Sequence, residues 1–178
     1  ERNGASLLAA LDAALESRGE SPPVEAPTRK HLANDSWPEA VCRLGIQLAD
    51  ALAYAHERGV LHRDVKPANV LVAADATAKL ADLNISFSEH VSGAPPAAYF
   101  GGSLAYMSPE QLEACIPESG RSPDELDGRS DVYSLGVLLW ELLHRRRPFD
   151  DPRMVSSKVT VSAMLAMRLE GPPSSAAD

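Results

Sequence analysis

A polar loop set between short apolar runs is the feature that most constrains the fold of this chain. Residues 62–69 read His-Arg-Asp-Val-Lys-Pro-Ala-Asn, and Val-Leu-Val follows at 70–72. A second run, Lys-Leu-Ala at 79–81, leads to Asp82. Apolar runs this short, bounded by polar residues, predict short strands, the first of them buried. Such strands would hold the polar loop rigidly.

The side chains of this loop suit a complex of magnesium and phosphate. Asp64 offers a carboxylate, Lys66 an ammonium group and Asn69 an amide oxygen, and Asp82 adds a second acid. Oxygen donors of different residues beside a lysine fit Mg²⁺ and the phosphates it binds. The alternative is a polar turn between two strands, in which Asp64 and Asn69 only bond backbone groups.

Four motifs, in order and at family-like spacing, resemble those of the protein kinase family. Residues 62–69 resemble the catalytic loop, and Asp-Leu-Asn at 82–84 stands where the family has Asp-Phe-Gly. Residues 102–110 resemble the end of the activation segment, with Ser-Pro-Glu in place of Ala-Pro-Glu, and residues 131–136 resemble the start of the large buried helix. Lys66 and the run Glu-Gln-Leu at 110–112 make the chain most similar to bacterial serine/threonine kinases of the eukaryotic type.

The resemblance implies a mainly α (α+β) fold: the helical C-terminal lobe of a kinase, with short β-hairpins at the catalytic loop and the N-terminal β lobe absent. The eleven glycines nowhere form G-x-G-x-x-G, and Lys30, the only lysine ahead of the loop, lies in a polar, proline-rich stretch. The chain is therefore expected to be a partial kinase domain. The expected domain covers residues 1–170, and a tail follows at 171–178. Within the domain, four parts are expected: a hinge and first helix at 1–17, a mobile insertion without helix or strand at 18–35, catalytic and activation segments at 60–112, and substrate-lobe helices at 130–170.

Two helices are predicted around the loop. Ser36 and Glu39 form a capping box, and apolar residues then recur at three- and four-residue steps until Gly59. A second helix is predicted from Asp131, with a broad apolar surface that reaches Leu143. A long helix that feeds directly into the loop would leave it little freedom, as positioning chemistry demands.

The resemblance also assigns roles to individual side chains. Asp64 would be the catalytic base that accepts the proton of a substrate hydroxyl, and Lys66 would neutralise charge on the transferred phosphoryl group. Asn69 and Asp82 would bind the magnesium that bridges the phosphates of ATP. Leu71 would form the apolar floor beneath adenine, so that Leu71, Lys66 and Asp82 contribute to nucleotide binding.

Further residues are implied to regulate or support the site. Arg63 resembles the arginine of kinases whose activation segment is ordered by phosphorylation. Ser103 stands where the family usually has a threonine that touches the catalytic Asp and Lys, and Glu110 closes the Ser-Pro-Glu motif. His62 is expected to be a packed, hydrogen-bonded imidazole. Asp131 would bond the backbone of the catalytic loop, or serve as a plain acid at a helix N-terminus.

Composition excludes several classes of function. A net charge of −8 argues against binding nucleic acid or an anionic membrane surface. No apolar run approaches the length of about 18–20 residues that spans a bilayer. Cys42 and Cys115 are too few for a disulfide framework and are both interpreted as structural, Cys42 as a buried helix residue. A reducing cytoplasm is the expected setting.

The expected function is that of a serine/threonine protein kinase catalytic lobe, which transfers the γ-phosphoryl group of ATP, with Mg²⁺, to Ser or Thr of a protein substrate. The lobe alone is expected to be inactive, because nothing would cover the phosphates and no Lys–Glu pair would position them. Its missing partner would be the N-terminal lobe. The alternatives are a non-catalytic kinase-lobe interaction module and the remnant of a truncated or split kinase gene.

Overall fold

The computed structural model describes residues 2–83, 104–150 and 157–172. Within these ranges the chain is mainly helical, and its only strands form one antiparallel hairpin directly after the polar loop. The elements are α1 (Gly4–Glu16), α2 (Pro27–Asn34), α3 (Trp37–His56), β1 (Val70–Val72), β2 (Ala78–Leu80), α4 (Pro109–Ala114), α5 (Gly128–His144) and α6 (Ser157–Glu170). The expected fold class, a helical lobe with a short hairpin at the loop, is confirmed.

Helix α3 begins at the predicted capping box and carries the loop on its far end. Glu39 Oε2 accepts hydrogen bonds from the Ser36 backbone N–H at 2.8 Å and from the Ser36 hydroxyl at 2.6 Å. Gly59, with φ of 71°, lies just beyond the C-terminus of α3, where a left-handed residue ends a helix without strain. Only four residues separate Gly59 from Asp64, so the direction of α3 sets the position of the loop.

The main core lies between α3 and α5, and the loop and hairpin are anchored in it. Both helices turn their apolar sides toward each other, as their three- and four-residue spacing predicts. The buried residues of this core are Leu44, Leu48, Leu52, Val65, Ala78, Leu135 and Leu138. Val65 comes from the loop itself and Ala78 from β2, so the polar loop is fixed by an apolar side chain of its own.

Helix α5 begins slightly earlier than predicted. Asp127 caps it by accepting the Arg129 N–H at 2.9 Å, so Asp131 lies in the first turn of the helix. The apolar surface predicted along this helix is only partly buried. Leu135 and Leu138 are in the core, whereas Val132 and Leu143 are 60% and 40% exposed.

The expectation that residues 18–35 contain no helix is wrong for their second half, which forms α2. Leu32 of this helix is completely buried. Arg29 connects α2 to two other elements: its Nη2 lies 2.6 Å from Asp12 Oδ1 on α1, and its Nη1 donates to the Ala74 carbonyl in the hairpin turn at 3.0 Å. Helix α2 therefore ties α1 to the hairpin. One large buried apolar residue in eight gives no helical period, which is why the pattern does not reveal it.

Leu32→Ala is expected to lower the free energy of unfolding by about 2–3 kcal/mol, because it leaves a cavity in a packed cluster of α1, α2 and the hairpin turn. Val24→Ala is the matched control, since Val24 lies in the same predicted insertion but is 99% exposed. Its effect is expected to stay below about 0.5 kcal/mol. Urea unfolding followed by circular dichroism measures both values. Equal losses in the two variants would contradict the packing of α2.

The two cysteines differ in environment. Cys42 was expected to be buried, but its side chain is exposed on α3. Cys115 is buried at the end of α4, and this burial raises the pKa of its thiol to about 12. No described helix combines the length and the apolar character that a bilayer crossing requires.

Candidate active site

One buried carboxylate anchors the polar loop to α5. Asp131 is 1% exposed; its Oδ2 accepts the His62 backbone N–H at 2.8 Å, and its Oδ1 accepts the Arg63 backbone N–H at 2.7 Å. Oδ2 also lies 2.8 Å from His56 Nε2, at the end of α3. A carboxylate buried this deeply is stable only with its oxygens hydrogen-bonded, and here three groups meet that need.

A close approach of the two main helices makes the third contact possible. Any side chain at Gly128, the first residue of α5, would place its Cβ 2.5 Å from His56 Nδ1. Glycine at this position therefore leaves room for His56 to reach Asp131. Through this contact the start of α5, the end of α3 and the loop are joined at one carboxylate.

The backbone at Arg63 is left-handed, with φ of 64°. For a residue other than glycine this conformation costs about 1–2 kcal/mol. Asp131 holds the Arg63 N–H, and Gln111 Nε2 on α4 donates to the Arg63 carbonyl at 2.9 Å. Two helices outside the loop thus hold a conformation that the loop would not adopt by itself.

His62 joins the loop to the end of β2. Its side chain is fully buried, and its Nε2 lies 3.0 Å from the Ala81 carbonyl. The Asp64 backbone N–H points at its Nδ1, at 3.4 Å. Because Nδ1 accepts in this arrangement, the proton is assigned to Nε2, which donates to Ala81. Both ring nitrogens are therefore engaged with backbone groups inside the lobe.

Asp64 lies at the centre of the polar cluster. Its Oδ2 is 2.7 Å from Lys66 Nζ and accepts a hydrogen bond from Asn69 Nδ2 at 3.0 Å. The same amide nitrogen also donates to the Asp64 backbone carbonyl, at 2.8 Å. The other carboxylate oxygen, Oδ1, is buried and has no hydrogen-bond partner in the described part of the chain. One oxygen of Asp64 is thus held in place while the other keeps its capacity to accept a proton.

The register of the hairpin brings Asp82 to the same place. Strands β1 and β2 pair antiparallel with Val70 opposite Leu80, and beyond this pair the Ala81 N–H donates to the Asn69 carbonyl at 2.8 Å. Asp82 is the next residue and turns away from the strand with φ of 55°. Asn69 and Asp82 therefore flank the open end of one hairpin, beside the other predicted loop residues.

The donors present fit a cation that is shared with phosphate. Among residues 2–83, 104–150 and 157–172, no group of three or more His, Cys, Asp or Glu side chains forms a metal site. Asn69 and Asp82 offer two oxygen-bearing side chains. Because the Asn69 nitrogen donates to Asp64, its oxygen is the atom left for a cation. Mg²⁺ commonly takes one or two protein oxygens and completes its shell with phosphate and water.

Leu71 and Glu110 are the remaining predicted residues that the structure describes. The strand at 70–72 was expected to be buried, but Leu71 is 56% exposed, because the two-stranded hairpin is covered on one face only. Glu110 lies half-buried in the first turn of α4. Ser103 and Asn84 lie outside the described residues.

The final turn before α4 is tied to α5 by contacts that the sequence does not indicate. The Tyr106 hydroxyl donates to Glu141 Oε2 at 2.6 Å, and the Ser134 hydroxyl donates to the Tyr106 carbonyl at 2.8 Å. Burial, followed by the hydrogen bond to Glu141, raises the pKa of Tyr106, so its phenol remains a neutral donor. These contacts fix the approach to α4 against the same helix that anchors the loop.

Comparison with known proteins identifies relatives over most of the chain. Residues 28–175 match the family described as protein kinase domain. The chain is 36% identical over 130 residues to a probable serine/threonine-protein kinase of Streptomyces coelicolor, covering 71% of this chain and 18% of that protein. It is 38% identical over 112 residues to serine/threonine-protein kinase PknL of Mycobacterium tuberculosis, covering 63% and 26%. The corresponding values for PknB of Mycobacterium leprae are 36% over 123 residues, 67% and 18%. The chain thus spans about a quarter or less of the length of these relatives.

Proposed function

The chain belongs to the protein kinase family, and from this we propose that it is the catalytic lobe of a serine/threonine protein kinase, which transfers the γ-phosphoryl group of ATP to Ser or Thr of a protein. The observation that carries the proposal is the environment of Asp64. Lys66 and Asn69 fix one carboxylate oxygen, and the other has no partner among the described residues. The relatives' names support the serine/threonine class.

Asp64 acts in this proposal as the base. Its Oδ1 accepts the proton of the substrate hydroxyl, while the contacts of Oδ2 keep the carboxylate in one orientation. Lys66, whose side chain is 21% exposed, places its ammonium group where charge develops on the transferred oxygens. Catalysis of this kind depends on position, and the buried carboxylate of Asp131 supplies the fixed frame.

The nucleotide and its metal are assigned to the open end of the hairpin. Bound ATP with Mg²⁺ supplies the phosphoryl group and the cation that neutralises its charge. Asn69 and Asp82 would hold the cation, and Lys66 and Asp82 would contact the phosphates. Leu71 offers an exposed apolar side chain on β1, which suits the flat face of adenine. Its exposure is then a requirement of binding.

Regulation and setting follow from the same assignment. Arg63 is proposed to hold a phosphate on the activation segment, with Ser103 and Glu110 as parts of that segment. A protein substrate and an N-terminal lobe are the proposed partners, and the net charge of −8 argues against nucleic acid. Two free cysteines support a cytoplasmic setting.

Phosphate incorporation into Ser and Thr of a basic protein tests the proposal. The 178-residue chain alone is expected to show none, because its sequence holds no glycine-rich phosphate loop. The chain fused behind the N-terminal lobe of a bacterial relative is expected to incorporate phosphate when ATP and Mg²⁺ are present. Asp82→Asn in this fusion is expected to abolish incorporation, because a magnesium ligand is lost.

Each arm of this experiment has a result that counts against the proposal. Incorporation by the chain alone would show that no covering lobe is needed. A fusion that folds and binds nucleotide but transfers no phosphate would favour the non-catalytic interaction module. Incorporation that is unchanged by Asp82→Asn would remove this residue from the metal site.

A further inference from the structure

Gln111 connects the helix that follows the activation segment to the catalytic loop. It is the third residue of α4 and is 1% exposed. Its Oε1 accepts the Ser108 backbone N–H at 3.1 Å, which closes the capping box of α4. Its Nε2 donates to the Arg63 carbonyl at 2.9 Å. The two ends of one side-chain amide therefore bond two different parts of the site.

The capping box by itself does not require glutamine. The third position of such a box needs only an acceptor, so glutamate and glutamine serve alike. Helix α3 of the same chain has Glu39 at this position, where it accepts from Ser36. The Arg63 carbonyl needs a donor, which an ionised carboxylate lacks. Glutamine at 111 thus supplies the donor that the Arg63 carbonyl of the loop needs.

The bond to Arg63 acts on the peptide that leads directly into Asp64. Asp131 fixes the N–H of Arg63, and Gln111 fixes its carbonyl. Together they define both peptide planes on either side of a left-handed residue. Without the bond from Gln111, the peptide between Arg63 and Asp64 keeps only the long contact of the Asp64 N–H with His62 Nδ1, at 3.4 Å, and can rotate toward the right-handed conformation that an arginine prefers. The direction of the Asp64 side chain would change with it.

We propose that Gln111 is a positioning residue, which makes the orientation of the Asp64 carboxylate depend on the position of α4. This inference rests on the proposed role of Asp64 as the base. Helix α4 packs on α6 through a core of its own, formed by Leu104, Met107, Leu112, Cys115, Val161 and Met164. A shift of α4 on that core moves Gln111 and, through it, the Arg63 carbonyl. Through this bond the end of the activation segment would act on the Asp64 carboxylate without touching it.

Gln111→Glu tests the two hydrogen bonds of the amide separately, because it keeps the one to Ser108 and removes the one to Arg63. The introduced carboxylate still accepts from Ser108 and keeps α4 capped, but it presents an oxygen to the Arg63 carbonyl. Hydrogen exchange of the 178-residue chain is expected to be about 5- to 10-fold faster at residues 62–66, with no change along α5. Gln111→Met, which is uncharged, is expected to give the same loop effect. Glu39→Gln is the matched control at the other capping box and leaves the loop unchanged.

The fusion with a covering lobe tests the effect on catalysis. Gln111→Glu is expected to lower kcat about 10- to 100-fold and to leave KM for ATP unchanged, because the misdirected group is Asp64 and not the nucleotide site. Burial against the Arg63 carbonyl should raise the pKa of the introduced carboxyl, and its protonated form again has a donor for that carbonyl. The ratio of the kcat of Gln111→Glu to that of the unsubstituted fusion is therefore expected to rise as the pH falls from about 8 to about 6. Taking the ratio cancels the titration of groups common to both proteins. Glu39→Gln should leave kcat unchanged.

Three results would overturn the inference. These are an unchanged loop exchange in both Gln111 variants, exchange that rises uniformly over the whole lobe, and a loss of kcat that does not respond to pH. If the unsubstituted fusion transfers no phosphate, the proposed function fails, whereas the exchange comparison still decides whether Gln111 holds the loop. The two failures are therefore distinguishable.

Discussion

Asp64→Asn is expected to lower the kcat of the fused protein by about 100- to 10,000-fold, while its KM for ATP stays nearly constant. Asparagine keeps the shape of the side chain and an oxygen that can face Lys66 and Asn69. It cannot take the proton from a substrate hydroxyl. The effect should therefore fall on the chemical step, and steady-state kinetics with varied ATP measures it directly.

Asp12→Asn is the matched control for this substitution. Asp12 is also a carboxylate paired with a cation, Arg29, at 2.6 Å, but it lies on α1 outside the polar cluster. Its replacement should leave kcat unchanged. If Asp64→Asn retained the full kcat, Asp64 would not be the base. If it lost the binding of ATP as well, the carboxylate would serve the nucleotide and not the proton transfer.

Asp131→Asn is expected to lower the free energy of unfolding by about 3–5 kcal/mol. The carboxylate accepts from His62 and Arg63 and contacts His56, all at 2.7–2.8 Å. An asparagine amide places an NH₂ group against one of these donors, so at least one buried N–H loses its acceptor. Chemical denaturation of the 178-residue chain, followed by circular dichroism, gives the value.

Asp127→Asn provides the comparison one helical turn earlier. Asp127 caps α5 from the surface, and asparagine caps a helix about as well as aspartate. Its effect is expected to stay below about 0.5 kcal/mol. A similar small loss in Asp131→Asn would mean that Asp131 acts only as an acid at a helix terminus, which was the alternative interpretation of its sequence position.

The sequence predicts best those elements that are determined by residues close to one another along the chain. The capping box of Ser36 and Glu39 lies within one turn, and α3 begins there as expected. The hairpin also follows from local signals, because short apolar runs bounded by polar residues predict paired strands. Once the hairpin forms, antiparallel pairing alone brings Asn69 next to Asp82.

The sequence does not predict contacts that end on a backbone group of a distant segment. Gln111 reaches the Arg63 carbonyl across 48 positions, and Ser134 reaches the Tyr106 carbonyl across 28. A carbonyl is the same in every residue, so no side-chain pattern marks the acceptor. The only available signal for Gln111 was a glutamine in a capping box, where glutamate would also do.

Helix α2 escaped prediction for a different reason. Its stability comes from Leu32 and from the two contacts of Arg29, all of which depend on the tertiary fold. The exposed position of Cys42 has a similar origin. The side of α3 that is buried depends on where α5 lies, and the helical period fixes this direction only to within a residue or so.

The contact of Arg29 with the hairpin turn determines where this lobe can accept an insertion. Residues 18–25 carry exposed side chains and contribute to no helix or strand, so a spliced tag or a further domain would project outward from them. The same splice within Pro27–Asn34 would displace Arg29, and with it the turn that closes the hairpin. An insertion is therefore tolerated at residues 18–25, whereas one within Pro27–Asn34 disturbs the hairpin whose open end Asn69 and Asp82 flank.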